Sequence, residues 1–304
     1  MSGIHLFLVE RTMTPLRSSM VLALALGAAG CHANPVSNIP VTPSAAIHFV
    51  NAVPDTMQQD MRVVDRVSNS GLFDADFRTF DRFYKGIEAG SREIKIFLSS
   101  IDPTITSQFI ADTTFAFTQD QNYTFIHTGF ARTALQPPVR TIWIIQDNPP
   151  TPGAGQIGVR FIHAGSGMAP VDVRMVRKGS DTLPDAPLFG NVAYGPTPTT
   201  YTLVQHDSFT VAVNGAVTIY DTLRVVVTAA GTKTPALFTA VLAPLGTPGT
   251  GTTNPIPGAA ISGTAMTVIL VPASVAGSMA PQTAAFTVPT VLYLVDKRPP
   301  NTAP

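Results

Sequence analysis

From about residue 45 onward, apolar and polar positions alternate along most of the chain. Ile47 and Phe49 share one parity while His48 and Val50 take the other; Ile94, Ile96 and Leu98 alternate in the same way, as do Tyr123, Phe125 and His127. The pattern returns in Phe209, Val211 and Val213, in Leu223, Val225 and Val227, and in Met266, Val268 and Leu270. A period of two places successive side chains on opposite faces of an extended backbone, so these segments are predicted to be half-buried strands. Turn residues separate them at Asp102-Pro103, Asn214-Gly215 and Ala230-Gly231. An Asn-Gly pair between two apolar alternations predicts a tight hairpin.

The pattern is written twice. Ile47-His48-Phe49-Val50-Asn51-Ala52 recurs as Val159-Arg160-Phe161-Ile162-His163-Ala164, an offset of 112 from residue 47 to residue 159, and Asp60-Met61-Arg62 meets Asp172-Val173-Arg174 in the same register. The ends also match: Ile142-Trp143-Ile144-Ile145 before Pro149-Pro150, and Leu292-Tyr293-Leu294-Val295 before Pro299-Pro300. Two tandem units are therefore expected, at residues 45–150 and 157–300, joined by the Pro- and Gly-rich run Pro149 to Gln156. The second unit is longer, and its surplus is expected in a surface loop near 245–263, rich in Gly, Thr and Pro and without apolar periodicity. Several short strands per unit of this size suggest an all-β fold, a sandwich or a barrel in each unit, with two tandem immunoglobulin-like antiparallel β-sandwiches as the expectation.

The first 30 residues follow different rules. Arg17 precedes the apolar run Val21 to Leu26, and the small residues Gly27-Ala28-Ala29-Gly30 follow, the organisation of an export signal peptide. Met13 is an alternative start that leaves a compact basic region. Cys31 is the only cysteine of the chain, so no internal disulfide can form. Its place directly after Gly30 is similar to that of the acylated cysteine of bacterial lipoproteins, although Ala28 stands where Leu is usual. This implies a membrane anchor through lipidated Cys31, with residues 31–44 as a tether, and export to the cell envelope. His32 in place of an acidic residue suits sorting to a Gram-negative outer membrane. Cleavage after Ala33 by the general signal peptidase is the other reading.

The stretch Val159 to Ala164, followed by Ala169-Pro170-Val171-Asp172-Val173, resembles the opening of domain of unknown function 4397. The first unit shows the same plan in Asn51-Ala52-Val53-Pro54-Asp55 and Asp60-Met61-Arg62, and the segments Tyr84 to Ser91 and Asn122 to Phe125 resemble later elements of that family. Gly165-Ser166-Gly167 departs from the family at the turn, where Pro-Asp is usual. The resemblance implies a secreted or surface-anchored β-sandwich, often in tandem, and supplies no activity.

Charge narrows the partners. With 19 basic and 19 acidic residues and only 12% charged positions, there is no global field to attract nucleic acid. His163, Ser166 and Asp172 have the residue types of a hydrolase triad, but the glycines of a G-x-S-x-G elbow are replaced by Ala164 and Met168. A structural turn explains them as well. Asp74, Asp76 and Asp81 could offer oxygens to Ca²⁺, yet Arg78 and Arg82 are placed to neutralise them and no EF-hand spacing exists. His48, His127, His163 and His206 lie too far apart in sequence to suggest a transition-metal site. Phe73, Phe77, Phe80, Phe83 and Tyr84, interleaved with Asp and Arg, form a candidate exposed aromatic surface for a glycan or an envelope protein. The expectation is a non-enzymatic envelope lipoprotein without cofactor, acting as a binding or spacer module.

Overall fold

A computed structural model describes residues 42–303 apart from 67–70, 136, 178–181, 207–209, 214–215 and 221–222. Pro43–Pro304 makes one compact unit. The leader, Cys31, most of the tether and the Asn214-Gly215 turn lie outside the described residues.

The alternating segments form strands, and each half of the repeat makes a two-sheet sandwich. In the first, one sheet has the order β4 (Lys85–Glu88), β1 (Ser44–Asn51), β7 (Asn122–Thr128), β8 (Thr141–Asp147). The facing sheet has the order β3 (Gly71–Ala75), β2 (Gln59–Val63), β5 (Gly90–Leu98), β6 (Phe109–Phe117). The second half repeats this order in β12 (Thr202–Gln205), β9 (Gln156–His163), β17 (Ala265–Val271) and β18 (Thr290–Lys297), facing β11 (Phe189–Val192), β10 (Val171–Arg177), β15 (Leu223–Ala229) and β16 (Val241–Leu242). Two-sheet sandwiches are shared with immunoglobulin domains; the extra strand and a parallel pair in each half, β1 with β7 and β9 with β17, give these their own connectivity.

The extra length of the second half is not confined to residues 245–263. A ribbon of β13 (Thr210–Val213) and β14 (Ala216–Tyr220) is inserted between β12 and β15, and the β17–β18 connection also exceeds its counterpart between β7 and β8. Asp102 is more than a break: its carboxylate accepts from the Thr104 backbone and caps one helical turn, α1 (Pro103–Thr106).

Each sandwich has its own core. Ile47, Phe49, Met61, Ile94, Ile96 and Phe125 fill the first, and Val159, Phe161, Val173, Val225, Val227 and Val268 the second. A third core joins them. It contains Val50, Ile126, Trp143 and Ile145 from the first half and Ile162, Ile269, Leu292 and Leu294 from the second. These are the side chains of opposite parity on β1, β7 and β8 and on β9, β17 and β18, so the inner strands β1, β7, β9 and β17 are buried on both faces, where one buried face is expected from their alternation. Each fully buried aliphatic side chain contributes about 1.5–3 kcal/mol, which makes this seam comparable in kind to the interior of either sandwich.

Candidate functional site

The aromatic segment between β3 and β4 does not form the exposed cluster expected of it. Only Phe73 is well exposed, at 53%, while Phe77 is 1% exposed. Phe77 packs near Phe286 of the second half with ring centroids 6.3 Å apart; Phe80 packs against the third core, and Phe83 lies under the Arg298 guanidinium. Arg78, expected to neutralise nearby carboxylates, instead crosses to the second half. Its guanidinium lies over the rings of Phe77 and Phe286 and donates to the carbonyls of Pro272, Ala285, Phe286 and Val288. Asp81 pairs with Lys85 at 2.9 Å, and Asp74 accepts from the Ser99 hydroxyl. Among the described residues no group of three acidic, His or Cys side chains gathers as a metal site, so Asp74, Asp76 and Asp81 do not converge.

His163, Ser166 and Asp172 do not assemble as a triad either. Ser166 is buried, accepts from the Gly129 N–H at 3.0 Å and lies 3.2 Å from the Thr128 hydroxyl. His163 Nδ1 accepts from Gly165 N–H, as Asn51 Oδ1 accepts from Val53 N–H at the equivalent turn of the first half. Asp172 Oδ1 accepts from Asn191 N–H at 2.8 Å, as Asp60 Oδ1 accepts from Asp74 N–H at 2.8 Å. Asn191 and Asp74 both hold left-handed backbone, φ 51° and 48°. His163 and Asp172 thus repeat structural devices of the first half, the role that Asx-type side chains play in turns, while Ser166, whose place in the first half is taken by Pro54, holds the Gly129 backbone. Gly129 is required where the seam meets this turn, since its φ is +94° and a Cβ would lie 2.4 Å from the Val139 carbonyl oxygen.

The strongest concentration of polar chemistry was not singled out by sequence reasoning. At one end of the third core lie Asp147 on β8, Asp296 on β18, Arg160 on β9 and His48 on β1, all buried. Arg160 donates to Asp147 across the seam and to the Thr267 hydroxyl at 2.7 Å, with its guanidinium 4.8 Å from the Tyr201 ring centre. Asp147 also accepts from Tyr84 and Thr124, and Asp296 from Tyr201 and Thr267. His48 stacks on Tyr84 with centroids 3.7 Å apart, and its Nε2 stands 3.7 Å from Asp296 Oδ1. The two halves supply matching groups, Tyr84-Thr124-Asp147 and Tyr201-Thr267-Asp296, while His48 and Arg160 occupy the same position of the repeat. Each reaches the carboxylate of the other half, a reciprocal arrangement of the kind seen in isologous contacts.

Burial dominates the titration of these groups. It pushes His48 down to about 4 against the raising effect of Asp147, and pushes the Asp296 carboxyl up to about 7 although Arg160 opposes it. A separate buried pair closes the first sandwich: His127 Nδ1 lies 2.6 Å from Gln59 Oε1, and burial, aided by Arg140, holds the imidazole down at about 3. The second half has Leu270 and Val171 at these places. The seam's signal in the sequence was that both parities of β1 and β9 are apolar, as in Phe49-Val50 and Phe161-Ile162, which a solvent-facing sheet has no reason to show.

On the outer face of the first sandwich, Phe73 shares a surface with Phe97 and with Phe109, which is 51% exposed. Arg62 lies over the rings of Phe73 and Phe97, and Lys95 over Phe109. Among the described residues no helix is long and apolar enough to cross a membrane.

Residues 45–174 match the family model described as Domain of unknown function (DUF4397), which spans the first sandwich and the opening strands β9 and β10 of the second. No curated protein matches the chain.

Proposed function

We propose, from the premise that this chain carries a DUF4397 domain over residues 45–174, that it is a non-enzymatic cell-envelope lipoprotein. In this reading it is exported, anchored through acylated Cys31, and holds its double sandwich off the membrane as a spacer and binding module, at the outer membrane of a Gram-negative bacterium. The observation that carries it is the third core, because two sandwiches welded through Val50, Trp143, Ile162 and Leu294 make a stiff body rather than two beads on a linker. Stiffness suits a part that fixes a distance or presents a surface. The polar side chains that resemble a catalytic set, His163, Ser166 and Asp172, are all used by local backbone or by the seam. The anchor is supported by the apolar run that ends at Gly30 and by the tether that follows Cys31. Metabolic labelling with a palmitate analogue tests it: wild type takes up label and Cys31→Ala does not, and equal labelling of both overturns the anchor.

A second reading, recognition of an envelope glycan or protein, is favoured by the outer face bearing Phe73, Phe97 and Phe109. A glycan array probed with residues 45–304 tests it, with binding lost in a Phe73→Ala, Phe109→Ala double variant. Binding that survives both changes places any ligand elsewhere.

A further inference from the structure

His48 Nδ1 lies 3.0 Å from the Asp81 carbonyl oxygen, which can only accept, so Nδ1 carries a hydrogen. In a neutral imidazole that leaves Nε2 with a bare lone pair. Nε2 faces the Val295 backbone carbonyl and Asp296 Oδ1, and neither Nε2 nor Oδ1 has a hydrogen-bond partner. Three acceptors therefore meet in a fully buried space with no hydrogen among them, and such unsatisfied groups are costly. One proton placed between Nε2 and Oδ1 resolves the conflict after a closure of about 0.5–1 Å from 3.7 Å.

The charges around the pair give the same answer. Facing it are Asp147 on β8, Arg160 on β9, Tyr84 and Tyr201 from the segments leading into β4 and β12, and Asp81, whose carboxylate is taken by Lys85. Arg160 balances Asp147. With one proton on the His48–Asp296 pair the buried cluster is neutral; without it a lone negative charge remains inside the seam, beside a second carboxylate.

We propose that His48 and Asp296 are a proton-binding latch between the two sandwiches: one proton held between Nε2 and Oδ1 keeps the seam closed, and its release above neutral pH loosens it. The sign follows from the directions of the two groups. Asp296 is raised from 3.8 to about 7 and His48 lowered from 6.5 to about 4, so between these values the closed pair holds one proton, on the carboxyl. An opened or unfolded pair also holds one, on the imidazole, until the pH reaches the ordinary histidine value. Closure is therefore level with pH on the acid side, weakens between the ordinary histidine value and about 7, where only the closed pair still holds its proton, and is level again above that.

Trp143, the only tryptophan, lies in the third core against Tyr194 and reports the state of the seam. In the full mature chain its emission is expected to shift to the red, and its quenching by acrylamide to increase, as pH rises through about 7. Asp296→Asn keeps an oxygen for Thr267 and Tyr201 and gives Nε2 a permanent donor; its Trp143 is expected to stay protected at alkaline pH. An unchanging Trp143 signal in wild type, or the same transition in Asp296→Asn, overturns the latch. Should Asp296→Asn not fold, ¹⁵N-histidine spectra of the wild-type chain decide. A His48 Nε2 resonance that moves together with the Trp143 signal supports the proposal, and one that stays fixed through neutral pH refutes it.

Discussion

Position 48 of the first half and position 160 of the second are the same place in the repeat, and they carry different chemistry. Arg160 is a permanent cation, raised further by Asp147 and Asp296 against the pull of burial, and it donates to both a carboxylate and a hydroxyl. His48 is a buried neutral imidazole with one nitrogen engaged. One half of the seam is thus fixed by charge, and the other depends on where a proton sits. The wider sandwiches differ in the same sense: the first buries His127 with Gln59, and the second has Leu270 and Val171 in their place.

Breaking the charged side should have the largest effect. Arg160→Met leaves Asp147 buried without its cation and is expected to cost about 3–5 kcal/mol in chemical denaturation. His48→Met removes no charge from neutral protein and should cost clearly less; equal losses would dissolve the contrast between the two positions. Next comes Arg78, whose place in the second half is taken by Gly195. Both backbones donate equivalently, Arg78 N–H to Asn51 and Gly195 N–H to His163, but only Arg78 sends a side chain across the seam. Arg78→Ala should cost about 1.5–3 kcal/mol for its charged hydrogen bonds. Gly195→Ala, with nothing within 4 Å of the added methyl, should change stability by no more than about 0.5 kcal/mol.

The two sandwiches can also be separated by acid. His127 is lowered from 6.5 to about 3, so its contribution is present above the ordinary histidine range and is lost as pH falls through that range toward about 3. Replacing the pair together, Gln59→Val with His127→Leu, copies the second half and should flatten this acid slope with little change in stability at neutral pH. A slope that survives the double change would assign acid sensitivity to other groups. A modest effect is expected at Ser166, where Ser166→Ala removes an acceptor for the Gly129 N–H and should cost about 1 kcal/mol in thermal or chemical denaturation.

Strands, repeat and the family match of residues 45–174 were all readable in the sequence because each depends on local alternation or on matching segments, such as Ile47 to Ala52 against Val159 to Ala164. The seam was harder to read. His48, Asp147, Arg160 and Asp296 are each unremarkable in their own segment, and only the pairing of two outward faces brings Arg160 onto Asp147 and His48 up to Asp296. The exposed-aromatic reading went astray for a related reason. Phe77, Phe80 and Tyr84 sit among Asp and Arg residues, which in a lone sandwich would mark a surface loop; here Phe77 and Phe80 pack into the seam and Tyr84 turns inward onto His48 and Asp147. The surplus of the second half was misplaced in part because β13 and β14 have good strand alternation and so did not read as an insertion.

The reciprocal contacts, His48 toward Asp296 and Arg160 to Asp147, are those of a homodimer interface that has been placed on a single chain. The short segment from Asp147 to Gln156 therefore does what protein concentration does for a dimer. It keeps the partner face at an effective concentration on the order of millimolar, so this pairing is indifferent to dilution.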